Sequence, residues 1–378
     1  MAAVLSADMD NTDKVVIFID ESRALGLRVD LPDINLCAFG FTVAGNDAVR
    51  YGLGAVKGAG ESAIESIIDE RDVNGPFEDL FDFCRRVDSK KVNRRVIEAL
   101  IRCGALDSLG PERSSDDRSS MMASLTVAMQ TAEQHGRDAA AGQNDLFGGA
   151  VAASRDQDRF TRVPAWSDEE RLAGEKDTLG LYLSGHPITR FESELDRFTS
   201  VRLSDLRARP GESQVVAGLV VSLRMLNSRA GRMAVITIDD RTARMDAVIY
   251  SDLFSAEREL LVKDRLLVLE GEVGVDDFTG GCSMTVQKLS DLDTAREAYA
   301  RNVVIRLGED GVGNGILHEI RDAVSVYRHG RTGLCIDYLR SDASVRLPLG
   351  DDWRVHPTQE LLRRLSELVG SESVEVEY

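Results

Sequence analysis

The sequence predicts a multidomain α+β protein, and three observations support this fold class. The chain has 378 residues, enough for two to four domains at roughly 100–200 residues each. Apolar residues recur at spacings of three and four between residues 49 and 135, which is typical of helices. They alternate from about residue 212, which indicates strands, and from residue 302 short strands and helices are mixed.

The composition excludes several classes of protein. Hydrophobic residues make up 43% and charged residues 29% of the chain, as in soluble globular proteins. No run approaches the ~20 apolar residues of a membrane span, and the start of the chain lacks the basic and apolar regions of a secretory signal. The five cysteines are scattered without a C-x-x-C pair, which argues against a disulfide framework or a structural zinc site. We therefore expect a cytoplasmic protein with no metal site and no membrane contact.

The net charge limits how the chain could bind nucleic acid. Lys and Arg number 46 and Asp and Glu 64, which gives −18 at pH 7. Such a chain is not drawn to a polyanion as a whole. Binding to DNA would need local basic patches or a partner that holds the chain there.

Residues 1–48 are not predicted to form a domain of their own. Asp13–Leu27 has helical spacing, and Ala38–Val43 alternates like a strand. One helix and one strand do not bury a core. This piece therefore either docks on the residues that follow or completes a larger domain upstream.

Residues 49–135 predict helices joined by short turns, and a linker follows. The helices are expected at Ala63–Glu70, Phe77–Arg86, Asn93–Cys103 and 116–135. Residues 136–165 are rich in Ala, Gly, Gln, Asp and Arg without periodicity, which predicts a flexible linker. A connecting helical segment, 166–205, contains a further helix at Asp168–Lys176.

Residues 206–297 predict a small Greek-key barrel. The strand candidates are Gln214–Leu223, Met233–Asp239, Met245–Tyr250, Leu266–Val273 and Ser283–Leu289, with a helix at Ala256–Val262 between the third and fourth. This order is that of an OB-fold. Residues 298–378 predict a small α/β domain with strands at Val303–Leu307, Gly333–Leu339, Ser344–Leu349 and Val374–Tyr378 and helices at Gly315–Tyr327 and His356–Leu368.

A glycine-rich segment is the sharpest local signal for binding. Val56–Ile64 places Lys57, Gly58 and Gly60 directly before a predicted helix. Such a segment can be the hairpin of a helix-hairpin-helix element, where glycines let backbone N–H groups approach a phosphate at a helix N-terminus. The contact would be independent of DNA sequence. The alternative is a plain tight turn between packed helices.

A basic run follows this segment. Residues 85–95 hold six basic residues and one acid inside an acidic chain. The alternative is a solvated loop between helices, but the local reversal of sign favours contact with a polyanion. We assign Lys90, Lys91, Arg94 and Arg95 to the same duplex site as the glycine segment.

Catalytic motifs are not recognised in the sequence. The acidic pairs Asp8/Asp10, Asp239/Asp240 and Asp276/Asp277 lie in capping or turn contexts, where Asp serves the local backbone. No Walker A loop, dinucleotide fingerprint or nucleophile elbow is present. We therefore predict no catalytic residues in this chain.

Two further segments suggest contacts. Leu146 and Phe147 lie in the polar linker beside Gln143 and Asp145, which indicates a short peptide that docks in an apolar pocket. The predicted barrel is poor in aromatic residues, which favours a weak, salt-sensitive site for single strands. Its candidate residues are Arg224, Arg229, Arg232, Arg241, Arg244 and Tyr250.

The chain resembles the C-terminal part of the alpha subunits of bacterial DNA polymerase III, the C-family replicative polymerases. The resembling segments are Leu31–Asn35, Tyr51–Glu61, Lys91–Arg95, Gly142–Gly148, Glu175–Pro187, Asp239–Arg244 and Asp276–Gly281. The long Glu175–Pro187 segment is the most specific of these. The resemblance extends over essentially the whole chain.

The resemblance implies a role for each region. It implies that 1–48 is the tail of the polymerase fingers, 49–135 a helix-hairpin-helix domain on duplex product, 136–165 a linker whose Gln143–Phe147 peptide binds the sliding clamp (beta), 166–205 a connecting segment, 206–297 an OB-fold near single-stranded template, and 298–378 a domain that binds the tau subunit of the clamp loader. It also implies contact with the rest of the polymerase III core. In this family the palm, its catalytic aspartates and its Mg²⁺ lie upstream of the region matched here.

The resemblance therefore predicts a binding and processivity module, and a chain that is a fragment of a longer polymerase or a record begun at an internal methionine. Two alternatives stay open: an intact enzyme with an unrecognised active site, and a translesion relative of the same family. A translesion relative would be expected to have a degraded clamp peptide and no final domain.

Overall fold

The computed structural model describes residues 1–140, 160–209, 211–228, 231–275, 280–308 and 315–378, with the side chains of 138–140 and 227–228 excepted. These residues divide into two compact units, 1–187 and 188–378. The sequence-predicted fold class is confirmed: helices dominate the first unit, and the second holds a closed barrel and a mixed sheet. Among the described residues, no helix is long and apolar enough to cross a membrane.

The first unit contains the helices α1 to α7 and three short strands. The helices are α1 (Ala2–Ala7), α2 (Thr12–Ala24), α3 (Glu61–Asn74), α4 (Leu80–Arg86), α5 (Arg94–Arg102), α6 (Arg118–Ala140) and α7 (Asp168–Leu179). The strands are β1 (Arg28–Asp30), β2 (Thr42–Ala44) and β3 (Ala48–Arg50), in the order β1-β3-β2.

Side-chain caps fix the starts of several helices. Asn93 accepts hydrogen bonds from the first backbone N–H groups of α5, and Asp79 does the same for α4. At α7, Ser167 and Glu170 form a capping box, and Gly180 ends the helix in the left-handed conformation. Each cap satisfies groups that a helix end leaves unpaired.

Residues 1–48 share one core with the helices that follow. Leu5, Ile19 and Phe41 belong to the same buried cluster as Leu53 and Leu100. The Ile34 N–H also donates to the Ala105 carbonyl at 2.8 Å. Of the two alternatives, the structure therefore supports docking on the residues that follow.

The prediction of a strand at Ala38–Val43 was wrong in its bounds. The strand is β2, Thr42–Ala44, and the preceding residues bend instead of extending. The cause is close packing around Gly52 and Gly54. A Cβ at Gly54 would lie 2.8 Å from the Phe39 ring, so this ring lies directly on the glycine.

The second unit begins with the short helix α8 (Glu192–Leu195) and the barrel. The barrel strands are β4 (Ser213–Ser228), β5 (Gly231–Asp239), β6 (Arg244–Ile249), β7 (Leu266–Val275) and β8 (Cys282–Asp291), closed in the order β4-β5-β6-β8-β7. Alternate residues of β5 such as Ile236 and Ile238 fill the interior. This is the predicted OB-fold, with β6 and β8 parallel and the other neighbours antiparallel.

The helix predicted at Ala256–Val262 is displaced. The helix is α9 (Ser251–Ala256), directly after β6, and only a 3₁₀ turn (Arg258–Leu260) follows it. Phe254 is buried and Leu253 packs against the barrel core. The helix therefore lies where these two side chains cover the barrel.

The chain continues through α10 to a four-stranded sheet. Its elements are α10 (Leu292–Tyr299), β9 (Asn302–Gly308), α11 (Ile316–Ser325), β10 (Arg328–Leu339), β11 (Ser344–Leu349), α12 (Gln359–Val369) and β12 (Val374–Glu377). The sheet order is β11-β10-β9-β12, with β9 and β10 parallel. Ile320 and Leu365 from the helices join Ile305 and Leu334 from the sheet in one core. Helix α10 was not predicted from the sequence.

A buried arginine ties three elements of the second unit together. Arg296 of α10 is 2% exposed. It donates twice to Glu194 of α8, at 2.6 and 2.8 Å, once to Asp293 at 2.9 Å, and once to the Gln359 side chain of α12 at 2.7 Å. Burial acts to lower the pKa of Arg296, but the bonds to Glu194 outweigh it and the pKa is raised. The guanidinium therefore stays charged and paired.

Candidate nucleic-acid interface

Residues 56–59 form the tight turn that the glycine pattern predicts. The Ala59 N–H donates to the Val56 carbonyl at 3.2 Å, and Gly58 has a φ of +87°. A four-residue turn with this bond and a positive φ at its third position is a type II turn, which favours glycine there. The chain then enters α3, whose N-terminal cap is Gly60.

The turn presents backbone donors to solvent. Within the described part of the chain, the N–H groups of Gly58 and Gly60 have no acceptor, and both glycines are exposed. The Lys57 N–H differs, because it donates to the Thr178 carbonyl at 2.8 Å. Lys57 can therefore offer its exposed ammonium group to a phosphate, while the glycines offer backbone N–H groups.

The first part of the basic run has a structural role. Arg85 donates to Asp82 at 2.6 Å. Arg86 donates to Glu70 at 3.0 Å and lies over the Phe77 ring, 4.5 Å from its centroid. These two arginines hold α4 against the end of α3 and are committed to partners within the chain.

The second part of the run divides differently. Arg94 donates to Glu98 at 2.7 Å across one turn of α5. Lys90, Lys91 and Arg95 are exposed, and no residue in the described ranges accepts a hydrogen bond or ion pair from their side chains. Of the four residues that the sequence assigned here, these three are the ones available to an external anion.

The turn and the basic run meet on α5. A Cβ at Gly58 would lie 3.5 Å from the Ala99 Cβ. Arg95 precedes Ala99 by four residues, so it lies one turn away on the same face of the helix. The structure therefore brings the glycine turn and the start of α5 together on one surface of the first unit.

The acidic pairs serve local structure, as the sequence predicts. The carboxylate of Asp240 is buried and accepts the N–H groups of Leu203, Thr242 and Ala243. Asp8 pairs with a lysine at the start of α2. The Asp276/Asp277 pair lies outside the described residues. Among the described residues, no group of three or more His, Cys, Asp or Glu side chains is placed to hold a metal ion.

The residues proposed for single strands on the barrel do not form one cluster. Arg241 and Arg244 lie at the β5–β6 hairpin, where they pair with Glu192 at 3.2 Å and with Asp239 at 2.7 Å. Arg232 lies seven residues away, at the other end of β5, which is roughly 23 Å along a strand. The two groups therefore lie at opposite ends of the barrel.

The end of the barrel near Arg232 is the more exposed of the two. Tyr250 follows β6 directly and is 54% exposed, and its neighbour Ile249 pairs with Ala234 of β5. Met225 and Leu226 of β4 add exposed apolar side chains at the same end. Arg224 lies on β4 and pairs with Asp246 at 3.0 Å. Arg229 lies outside the described residues, as do the proposed clamp residues Gln143, Asp145, Leu146 and Phe147.

Sequence reasoning missed the importance of Glu175. Its side chain is fully buried, and Oε1 accepts from Arg118 at 3.0 Å. Oε2 accepts the N–H groups of Leu183 and Ser184 at 3.1 and 3.0 Å. Arg118 also donates twice to Asp107, at 2.8 and 2.7 Å. A signal was available, because Glu175 follows the buried Leu172 of α7 by one turn and so shares its apolar face.

Burial and pairing act in opposite directions on the charges of this cluster. Burial raises the pKa of Asp107, and the hydrogen bonds from Arg118 oppose that rise. Burial acts to lower the pKa of Arg118, but the bonds to Asp107 and the charge of Glu175 more than offset it and raise the pKa. The arginine therefore keeps its charge inside the core.

Three family descriptions match parts of the chain. "Helix-hairpin-helix motif" matches residues 26–115, "OB-fold nucleic acid binding domain" matches 214–292, and "DNA polymerase III subunit alpha, C-terminal domain" matches 319–370. The first covers the glycine turn and the basic run, and the second covers the barrel strands.

Curated relatives match the chain over its whole length. The DNA polymerase III alpha subunit of Vibrio cholerae is 44% identical over 381 residues, that of Escherichia coli K12 is 42% identical over 383, and that of Pseudomonas aeruginosa is 41% identical over 392. Each match covers 100% of this chain and 32–33% of the relative. The chain thus spans about a third of the length of the relatives it matches, and it belongs to the family of bacterial DNA polymerase III alpha subunits, of which it matches the C-terminal part.

Proposed function

We propose that this chain is the DNA-holding and processivity part of a replicative polymerase alpha subunit, working in the cytoplasm. The observation that carries the proposal is the surface around the glycine turn. There, two unpaired backbone N–H groups, the Lys57 ammonium group and the basic residues at the start of α5 lie on one domain. Backbone donors and lysines grip phosphates without reading bases.

The first test is whether duplex binding is independent of sequence and depends on the turn. Fluorescence anisotropy would measure the affinity of the chain for two short duplexes of unrelated sequence. Gly58→Ala places a Cβ on a residue with φ +87°, so we expect it to weaken both complexes equally. A wild-type chain that binds neither duplex, or that prefers one of them strongly, would contradict the proposal.

The barrel is proposed to hold single-stranded template at the end that carries Arg232 and Tyr250. An aromatic face can stack on a base, and such stacking is worth roughly 1–3 kcal/mol per base. We expect Tyr250→Ala to weaken binding to oligo(dT), with Arg241→Ala as a control because that arginine is paired with Glu192. Equal losses in the two variants would place the strand elsewhere on the barrel.

Two protein partners complete the proposal. The Gln143–Phe147 peptide is proposed to bind the sliding clamp, and residues 298–378 to bind the tau subunit of the clamp loader. The support is the likeness to the alpha-subunit family and the match of its C-terminal domain to residues 319–370. Contact with the rest of the polymerase core is proposed on the same basis.

The chain is proposed to act without a cofactor and without nucleotide incorporation of its own. The described acidic pairs are engaged with a lysine and a backbone turn, and the magnesium of polymerisation is expected in the palm of the longer relatives. Primer extension by the isolated chain with Mg²⁺ separates this reading from an intact enzyme. Extension that is lost in Asp8→Ala plus Asp10→Ala would establish the enzyme instead.

A further inference from the structure

The Glu175–Pro187 segment has a structural position that suggests a role in the duplex site. We call residues 167–187, which comprise α7 and the loop after it, the α7 strap. Two residues of the strap contact the hairpin: the Thr178 carbonyl accepts from the Lys57 N–H, and Gly180 lies beside the Lys57 side chain. The Lys57 Nζ is 3.6 Å from the position that a Cβ on Gly180 would occupy.

The strap is fixed from below by the buried Glu175 carboxylate. One oxygen binds Arg118 of α6, and the other binds two backbone N–H groups of the loop that leaves α7. This carboxylate therefore sets both the position of α7 and the path of its loop. Thr178 lies three residues further along the same helix, so the position of its carbonyl depends on the same anchor.

We infer that Glu175 is a positioning residue for DNA binding: through the α7 strap, it fixes the type II turn at Lys57 and Gly58 so that the turn can receive a phosphate. This inference rests on the proposed duplex contact. The Lys57–Thr178 bond directs the Lys57 backbone inward, which leaves the N–H groups of Gly58 and Gly60 outward. The carbonyl end of α7 also attracts the Lys57 ammonium group and limits the directions it can take.

Glu175→Gln tests the anchor, with Asp177→Asn as its matched control. Both changes remove one negative charge from α7, but Asp177 is 71% exposed and only 3.8 Å from Arg102. In Glu175→Gln we expect faster hydrogen exchange at the Lys57 amide. Duplex affinity should fall about tenfold, the worth of one charge-assisted hydrogen bond, and the slope of log affinity against log salt by roughly 0.9 per phosphate lost. Asp177→Asn should match wild type in all three.

Lys57→Pro tests the bond to Thr178 without touching the buried charges, with Lys57→Ala as its control. Lys57 occupies the second position of a type II turn, where proline is favoured. Both variants lose the ammonium group, but only proline loses the N–H that donates to Thr178. We expect Lys57→Pro to bind duplex about tenfold more weakly than Lys57→Ala, because the turn is no longer tied to the strap.

The outcomes separate this inference from the function on which it rests. A wild-type chain without affinity for duplex removes the site and the inference together. A wild-type chain that binds, with Glu175→Gln and Asp177→Asn indistinguishable in affinity and salt slope, overturns the inference alone. A lowered melting temperature with unchanged affinity also overturns it, since Glu175 would then serve stability only. If Glu175→Gln does not fold, the comparison of Lys57→Pro with Lys57→Ala decides, and equal affinities refute the inference.

Discussion

The surface around the glycine turn leads to a prediction about the salt dependence of duplex binding. The change is the triple substitution of Lys90, Lys91 and Arg95 by Ala. These three side chains are exposed and have no acceptor among the described residues, so their replacement removes charge without releasing an internal partner. Arg94 is left in place because it is bonded to Glu98.

The magnitude follows from counterion release. Each phosphate contact contributes roughly 0.9 to the slope of log affinity against log salt. If each of the three residues holds one phosphate, the slope should become shallower by about 2.7. A fourfold increase in salt, from 50 to 200 mM, then weakens the wild-type complex about 40-fold more than the variant complex. The loss should be the same for all duplex sequences, because phosphates carry no base information.

The control removes the same charge from the same unit at paired positions. Lys14, Arg137 and Arg162 are ion-paired with Asp8, Glu133 and Glu112. Surface pairs of this kind contribute little to stability, so their replacement by Ala should leave the fold and the slope close to wild type. Anisotropy titrations at five salt concentrations would give both slopes. Equal slopes for the test variant and wild type would show that the basic run does not touch DNA.

Three other predictions concern the linker, the barrel and the thiols. Leu146→Ala with Phe147→Ala should weaken sliding-clamp binding about 30-fold, because truncating a hot-spot anchor costs about 2 kcal/mol; calorimetric titration measures it, and an unchanged affinity would place the clamp elsewhere. Arg296→Met should lower the free energy of unfolding by about 3 kcal/mol, since two carboxylates lose their buried cation; urea denaturation measures it, and Arg363→Met, at an exposed helical pair, should leave the transition unmoved. Of the five cysteines only Cys282, the least buried, should react with a thiol reagent at pH 8 before unfolding; rapid labelling of a second thiol in the native chain would contradict this.

The thiol prediction depends on the direction of the pKa shifts. Burial raises the pKa of Cys103 and Cys84 to about 12 and that of Cys37 to about 11. Burial also raises the pKa of Cys335. A raised pKa leaves almost no thiolate at pH 8, and the thiolate is the reactive form. These four should therefore label only as the chain unfolds.

Hydrophobic period was sufficient to predict the main elements. Ser344–Leu349 has the same bounds in the sequence reading and in the structure, and the five barrel strands were found within a few residues of their ends. The period reports which face of an element is buried, so it succeeds where one core covers one face. It missed the three-residue strands β1 and β3, which are too short to show alternation.

Charge in the sequence was a weaker guide than apolar period, because it does not show which charges are paired. Residues 85–95 looked like one basic patch, but Arg86 is consumed by Glu70 and by the Phe77 ring. The same ambiguity affected Arg241 and Arg244 on the barrel. Their partner Glu192 is 49 residues from Arg241 along the chain, and no local spacing announces such a pair. Only the fold separates the cations that are available to DNA from those that hold the domain together.

The Glu175–Pro187 segment shows how far a sequence resemblance can be given a physical cause. Within it, Glu175 requires a buried cation, Thr178 presents its carbonyl to Lys57, and Gly180 must adopt φ +81° beside Thr12. A Cβ at Gly180 would lie 2.3 Å from the Thr12 Cγ2, so both the conformation and the space require glycine. Each position is thus constrained by an element more than fifty residues away. The segment contains no group that contacts DNA directly, and its value to the site lies in where it holds the glycine turn.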